Sequence, residues 1–126
     1  MGESFRNLAV WQRAVEMTLE IYKLTSAFPD SERFGLTNQL RRASVSVASN
    51  IAEGQGRLST GEFRQFLGIA RGSNCELQTQ LEIARALGMG DLEQIDGAEG
   101  LSREVGKMIN AILVKIKDRQ AGAANH

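Results

Sequence analysis

Apolar residues return along this chain every three or four positions almost from end to end, and no stretch alternates with the two-residue period of a strand. The spacing predicts four helices, roughly over residues 7–27, 33–53, 59–88 and 91–118. In the first, Val10, Ala14, Met17, Ile21, Leu24 and Phe28 form one stripe. Leu8, Trp11, Val15, Leu19 and Tyr22 form a second beside it. One apolar face is enough for a small bundle, so two stripes predict either a broadly buried helix or contact with another subunit. The second helix repeats Leu36, Leu40, Ala43, Val47 and Ile51, with Ser44, Ala48 and Ala52 small enough to admit a neighbouring helix. Phe63, Leu67, Ala70, Asn74, Leu77, Leu81 and Ala84 make the seam of the third. Ile95, Ala98, Val105, Ile109, Ile112 and Ile116 mark the fourth.

Punctuation falls between these runs. Asn7 is a reasonable first N-cap, and Pro29 with Asp30 breaks the pattern in "FPDSERFG". Ser59-Thr60-Gly61-Glu62 fits a capping box, in which hydroxyl and carboxylate each satisfy an exposed backbone donor. Gly88 and Gly90 end the third helix, and Asp91 with Gln94 opens the fourth. The tail 119–126 has nothing to bury and is expected to fray. Long amphipathic helices with short loops predict an all-α, antiparallel up-down-up-down four-helix bundle, one domain over residues 1–126.

The stretch "NIAEGQGR" resembles a phosphate loop only in composition. Such loops follow a strand and deliver backbone N–H groups at a helix N-terminus. Here the glycines follow a helix and meet its carbonyl end, so Gly54 and Gly56 are expected to be C-cap and turn residues with positive φ. A weak anion site at Ser59 and Thr60, with Arg57 nearby, is the remaining phosphate reading. The polar residues tell more. Arg42, Ser46, Asn50, Glu53 and Arg57 share one face of the second helix. On the third, Phe66, Ile69, Ser73, Glu76, Gln80, Ile83 and Leu87 form a stripe with apolar ends and a polar middle. Folding the chain back near Leu58 sets Arg42 level with Glu76, and Arg71 within reach of Glu53. The expectation is a partly buried polar layer of Arg42, Ser46, Asn50, Glu53, Arg71, Ser73, Glu76 and Gln80, in which Arg42 pairs with Glu76 and Arg71 with Glu53 or Asn50.

Composition narrows the chemistry. The only histidine is His126, the last residue, which removes histidine-based nucleophile systems and the Glu-x-x-His pairs of di-iron bundles. One cysteine without a usable imidazole cannot make a zinc site, so no metal, cofactor or catalytic residue is expected. Lone Cys75 cannot form an internal disulfide; it suits a reducing cytoplasmic compartment and reads as a small side chain near a helix contact. No apolar run approaches the ~18 residues that span a bilayer. The N-terminal "MGESFR" is only a fragment of a myristoylation signal. Fifteen basic groups balance fifteen acidic ones, which argues against strong autonomous nucleic-acid binding. The balance is uneven along the chain: residues 33–71 carry six arginines against two glutamates, and residues 72–104 carry two arginines against seven carboxylates. An electropositive surface that includes Arg41, Arg57 and Arg64 could therefore meet RNA or an acidic partner.

The runs "LTNQLRRASVSVASNIAEGQGR" and "FRQFLGIARGSNCELQTQLEIARALG", with "FRNLAVWQRAVEMTLEIYKLTSAFP" before them, resemble the bacterial four-helix-bundle family first noticed inside intervening sequences of 23S ribosomal RNA genes. The resemblance covers about residues 5–117. That family is similar in fold to the accessory variability protein of diversity-generating retroelements, a basic homopentamer that assists a reverse transcriptase with RNA or DNA. The resemblance implies a bundle without established catalytic activity, assembled as a homopentamer, with RNA, DNA or a reverse transcriptase-like protein as partners. This chain departs from that pattern in being neutral, and in carrying Ala48 where many relatives place proline. The function expected is a non-enzymatic, oligomeric scaffold or adaptor for a macromolecule, with nucleic-acid binding through an arginine-lined face as the alternative.

Overall fold

A computed structural model describes residues 4–124, with side chains described through residue 122. Four helices carry it: α1 (Ala9–Thr25), α2 (Leu36–Gln55), α3 (Thr60–Leu87) and α4 (Leu92–Ala124). Each packs on its sequence neighbours, and α1 also packs on α4, so the four close a ring around one core. Every neighbouring pair is antiparallel. Thr18 and Thr25 of α1 meet Ser44 and Arg41 of α2 in descending order, Ser46 and Gly54 of α2 meet Ser73 and Phe63 of α3, and Asn74 and Arg85 of α3 meet Ser102 and Asp96 of α4, which leaves α1 antiparallel to α4. The predicted stripes are the core: Val10, Met17, Ile21, Leu40, Val47, Ile51, Leu67, Leu77, Leu81, Ile95, Val105 and Ile109 are all buried.

The helix ends depart from expectation in physically specific ways. Asn7 caps nothing. Phe5–Asn7 is a 3-10 turn closed by Ser4, whose hydroxyl accepts from Arg6 N–H, and α1 starts after Leu8 without a side-chain cap. Likewise Asp30–Glu32 forms a 3-10 turn, which delays α2 until Leu36. Ser59 does cap α3, accepting from Glu62 N–H at 3.1 Å. The carboxylate of Glu62 turns instead toward Arg57, 3.9 Å away. Gly88 adopts φ 70° at the end of α3, and Met89 N–H reaches back to Ala84 C=O at 2.9 Å, the bonding of a Schellman closure. Asp91 accepts from Gln94 N–H and opens α4. The tail expected to fray over 119–126 is helical to Ala124, because α4 continues in good helix formers beyond the body it packs on. Asn125 and His126 lie outside the described residues, as do Met1, Gly2 and Glu3 of the myristoylation-like start.

Neither Gly54 nor Gly56 has the positive φ expected of it; among the described residues only Gly88 and Gly90 do. Helix α2 runs through Gly54, which is buried against α3. A Cβ there would lie 2.9 Å from Phe66 Cβ and 3.1 Å from Phe63. The glycine is present for close approach rather than for a turn. Gly56 has ordinary right-handed helical dihedrals (φ −78°, ψ −7°).

Gly54→Ala and Gly72→Ala separate packing from helix preference, since each replaces a helical glycine and gains about 0.5–1 kcal/mol of intrinsic propensity. Nothing lies within 4 Å of a methyl at residue 72, so that variant should raise the urea midpoint. At Gly54 overpacking costs about 1–3 kcal/mol and the midpoint should fall. Equal stabilisation by both would mean that α2 and α3 are further apart than described.

Candidate functional site

The seam between α2 and α3 is polar but uncharged. Ser46 and Ser73 share a hydrogen bond of 2.9 Å between their hydroxyls. Asn50 donates to Ser46 C=O at 2.8 Å and to its hydroxyl at 3.1 Å. The height register read from the sequence is therefore present, carried by small neutral groups.

The charged part of that layer is overturned. Arg42, Glu53, Arg71 and Glu76 are all exposed, and the pairs Arg42–Glu76 and Arg71–Glu53 do not form. Glu53 pairs on its own helix with Arg57 at 2.9 Å. Arg71 faces α4 and does not turn toward α2. The reason is desolvation: where two helices touch through serine and glycine, a buried ion pair would need room and would lose hydration. The long side chains at the flanks keep their charges in water instead. Arg42 and Glu76 stand on opposite lips of a groove of about 640 Å³, also lined by Phe34, Ser46, Ser73 and Gln80. Gln80 is buried to 8% exposure, and its Oε1 has no hydrogen-bond partner among the described residues.

Two of the three arginines proposed for anion contact are occupied. Arg41 donates to Thr25 Oγ1 at 2.9 Å and lies 4.5 Å above the Tyr22 ring. Arg57 is shared between Glu53 and Glu62 and stacks 4.7 Å over Phe66, which spends its charge beside the start of α3. Arg64 is free of carboxylates and lines a second groove, between α3 and α4, with Arg71 and Lys117. Cys75 is exposed on α3, away from the helix contact expected for it, because its neighbours Asn74 and Leu77 take the inward positions.

The strongest buried polar cluster lies elsewhere, between α3 and α4. Asn74 donates to Ser102 C=O at 2.8 Å and accepts from the Ser102 hydroxyl at 2.7 Å. Gln78 donates to the same hydroxyl at 2.9 Å. An asparagine at a seam position was the visible signal; Ser102, filling the interval between Ala98 and Val105, was its unread partner. The acidic excess of residues 72–104 is partly absorbed by Arg85, which holds Asp96 and Glu99 each at 2.8 Å. Hydrogen bonds to Asp96 and then Glu99 raise its pKa above the ordinary arginine value. Among the described residues no group of three or more His, Cys, Asp or Glu is placed to hold a metal ion, and no helix is long and apolar enough to cross a membrane.

Residues 6–111 match the family described as 23S rRNA-intervening sequence protein. A crystal structure of a protein of unknown function from the S23 ribosomal protein family of Bacteroides thetaiotaomicron superposes with a TM-score of 0.75 at 24% identity. The match covers 83% of this chain and 98% of that one, and it establishes likeness of fold. Comparison with curated proteins gives no match.

Removing one member of the buried Asn74–Ser102 pair leaves desolvated groups unsatisfied, so Asn74→Ala should cost about 1–3 kcal/mol in chemical denaturation. Arg42→Ala, at an exposed groove lip, should stay within about 0.5 kcal/mol of the parent. Reversed magnitudes would restore the buried ionic layer in place of the neutral one.

Proposed function

The chain belongs to the 23S rRNA-intervening sequence protein family, and from that premise we propose that it is a non-enzymatic cytosolic adaptor that works as a homo-oligomer. The observation that carries this reading is the surface of the α2–α3 hairpin. Phe34 (85% exposed) lines the polar groove with Gln80, whose Oε1 is unpartnered among the described residues, and Ile69, Ile83 and Leu87 (61%) are exposed on the same stripe of α3 as Ser73 and Gln80. Large exposed apolar side chains beside a polar groove suit a protein interface, in which burying the apolar groups supplies association and the polar groups at its edge set register. Covering one such side chain is worth about 1.5–3 kcal/mol.

A second apolar face supports assembly beyond a dimer. On the α1–α2 flank Leu19 is 64% exposed, next to exposed Tyr22 and Val45, so the lower half of the second α1 stripe is uncovered within one chain. Leu8 and Trp11, its upper half, are packed on the core, with Phe5 edge-on to Trp11 at 5.2 Å. Two unlike faces on one chain favour head-to-tail contacts, which close into a ring where the rotation between copies closes. Five copies is the number that the family resemblance implies. The rest of the surface then serves a macromolecular partner. Absence of histidine from the body of the chain speaks against acid–base catalysis near neutral pH.

Direct binding of RNA or DNA is the second reading, and Arg64 is the observation that keeps it. It ranks lower because Arg57 is paired with Glu53 and Glu62, and Arg41, though without a carboxylate, is held against Thr25 and Tyr22.

Light scattering at micromolar concentration should give about five times the 13.8 kDa chain mass. Ile83→Glu with Leu87→Glu should lower it toward one chain without loss of helicity. A parent protein of single-chain mass contradicts self-assembly. For the second reading, filter binding should show RNA retention that falls steeply with salt; no retention at low salt removes it.

A further inference from the structure

The groove between α3 and α4 combines three features. Its walls carry Arg64, Arg71 and Lys117, none of which has a carboxylate partner among the described residues. Its apolar lining is Leu113, packed on the core, and Val114, which is largely exposed. On the α3 side it is bounded by Gly68, where a Cβ would meet nothing within 4 Å. The volume is about 420 Å³, room for a row of side chains. The nearest carboxylates in sequence do not neutralise it: Glu62 faces Arg57, and Asp118 is exposed and absent from the lining. Arg64, Gly68 and Arg71 recur along one face of α3, on a different flank from Ile69, Ser73 and Gln80. Assembly through the α2–α3 face would leave this groove open.

We propose that this groove docks an acidic amphipathic helix of a partner protein, with apolar residues seated against Leu113, Val114 and Gly68 and carboxylates on Arg64, Arg71 and Lys117. The occupant follows from the lining. Leu113 and Val114, with Arg64 and Arg71 on one wall and Lys117 on the other, match a helix that carries Leu or Ile at i, i+3/i+4 and i+7 with Asp or Glu beside them. A phosphate backbone would use the cations but leave the apolar strip without a counterpart, and no exposed aromatic ring lines the groove for a base to stack on. Glycine at 68 lowers the α3 wall, which lets a partner helix approach the backbone. This deepens the adaptor reading by naming the partner's chemistry.

The test is a display selection of helix-forming 18-residue peptides against the intact protein, counter-selected against the Arg64→Glu/Lys117→Glu variant. Affinities of enriched peptides follow by fluorescence anisotropy. All substituted positions are exposed, and circular dichroism checks that each variant folds. The expected winners are acidic and amphipathic, bind the parent at least about tenfold tighter than the doubly reversed variant, and lose affinity with Val114→Asp. Scrambled peptides of equal charge should bind worse, since charge alone does not fill the apolar strip. The proposal is overturned if no peptide is enriched, if the winners are neutral or basic, or if scrambled peptides bind equally. It is also overturned if single-stranded or duplex RNA binds the parent, loses affinity on charge reversal, and is not displaced by the winners. A chain that is monomeric by light scattering yet binds such peptides would sink self-assembly and spare the groove.

Discussion

Helices α2 and α3 meet through Ser46, Ser73 and Gly54, and that choice of small side chains decides where everything larger must go. Gly54 brings the α2 backbone against Phe63 and Phe66 near the turn, and the two serines share a hydrogen bond further along. At such a contact there is no volume for a guanidinium and no water to solvate one. Arg42 and Glu76 are therefore displaced to the lips of a groove, and Glu53 turns to Arg57 on its own helix. Ser46 and Ser73 line that groove together with Gln80, whose Oε1 has no hydrogen-bond partner among the described residues.

On the opposite flank of α3 the contact has another character. Buried Asn74 and Ser102, with half-buried Gln78, form a mutually satisfied cluster that penalises any slip of α4 along α3. Beyond it, toward the acidic end, Arg85 gathers Asp96 and Glu99; toward the other end, Arg64, Arg71 and Lys117 have no such partners. The chain is neutral in total, yet this face is polarised along its length. Net charge alone is thus a poor guide to what the surface attracts.

The fold was legible because its signal is redundant: every core stripe contains several positions, and an error in one does not move a helix. Ser59, Gly88 and Asp91 were equally legible, since each closes a helix end by local chemistry. Asn7 and the glycines of "NIAEGQGR" were not. Ser4 and a 3-10 turn do the work expected of Asn7, and Gly54 serves a tertiary contact that its neighbours in sequence do not announce. Register was readable for the α2–α3 hairpin, because a short loop leaves little freedom. Which residues of that shared face make the contact was not, since Arg42 and Ser46 line the same groove and only side-chain length and hydration send the arginine to water while the serine meets Ser73. Ser102 was missed for a related reason: a serine on an apolar stripe looks like an interruption until its partner is known.

If the α2–α3 face is covered by a second copy, the methyl groups of Ile69 and Ile83 must touch protons of another chain. Isotope-filtered NOE spectroscopy on a mixture of labelled and unlabelled protein reads that contact directly. Intermolecular cross-peaks from these two isoleucines, absent from buried Ile21 and Ile109, are the expected result. Methyls at Ile69 and Ile83 that show only intramolecular peaks, at concentrations where the core resonances are fully resolved, would contradict it.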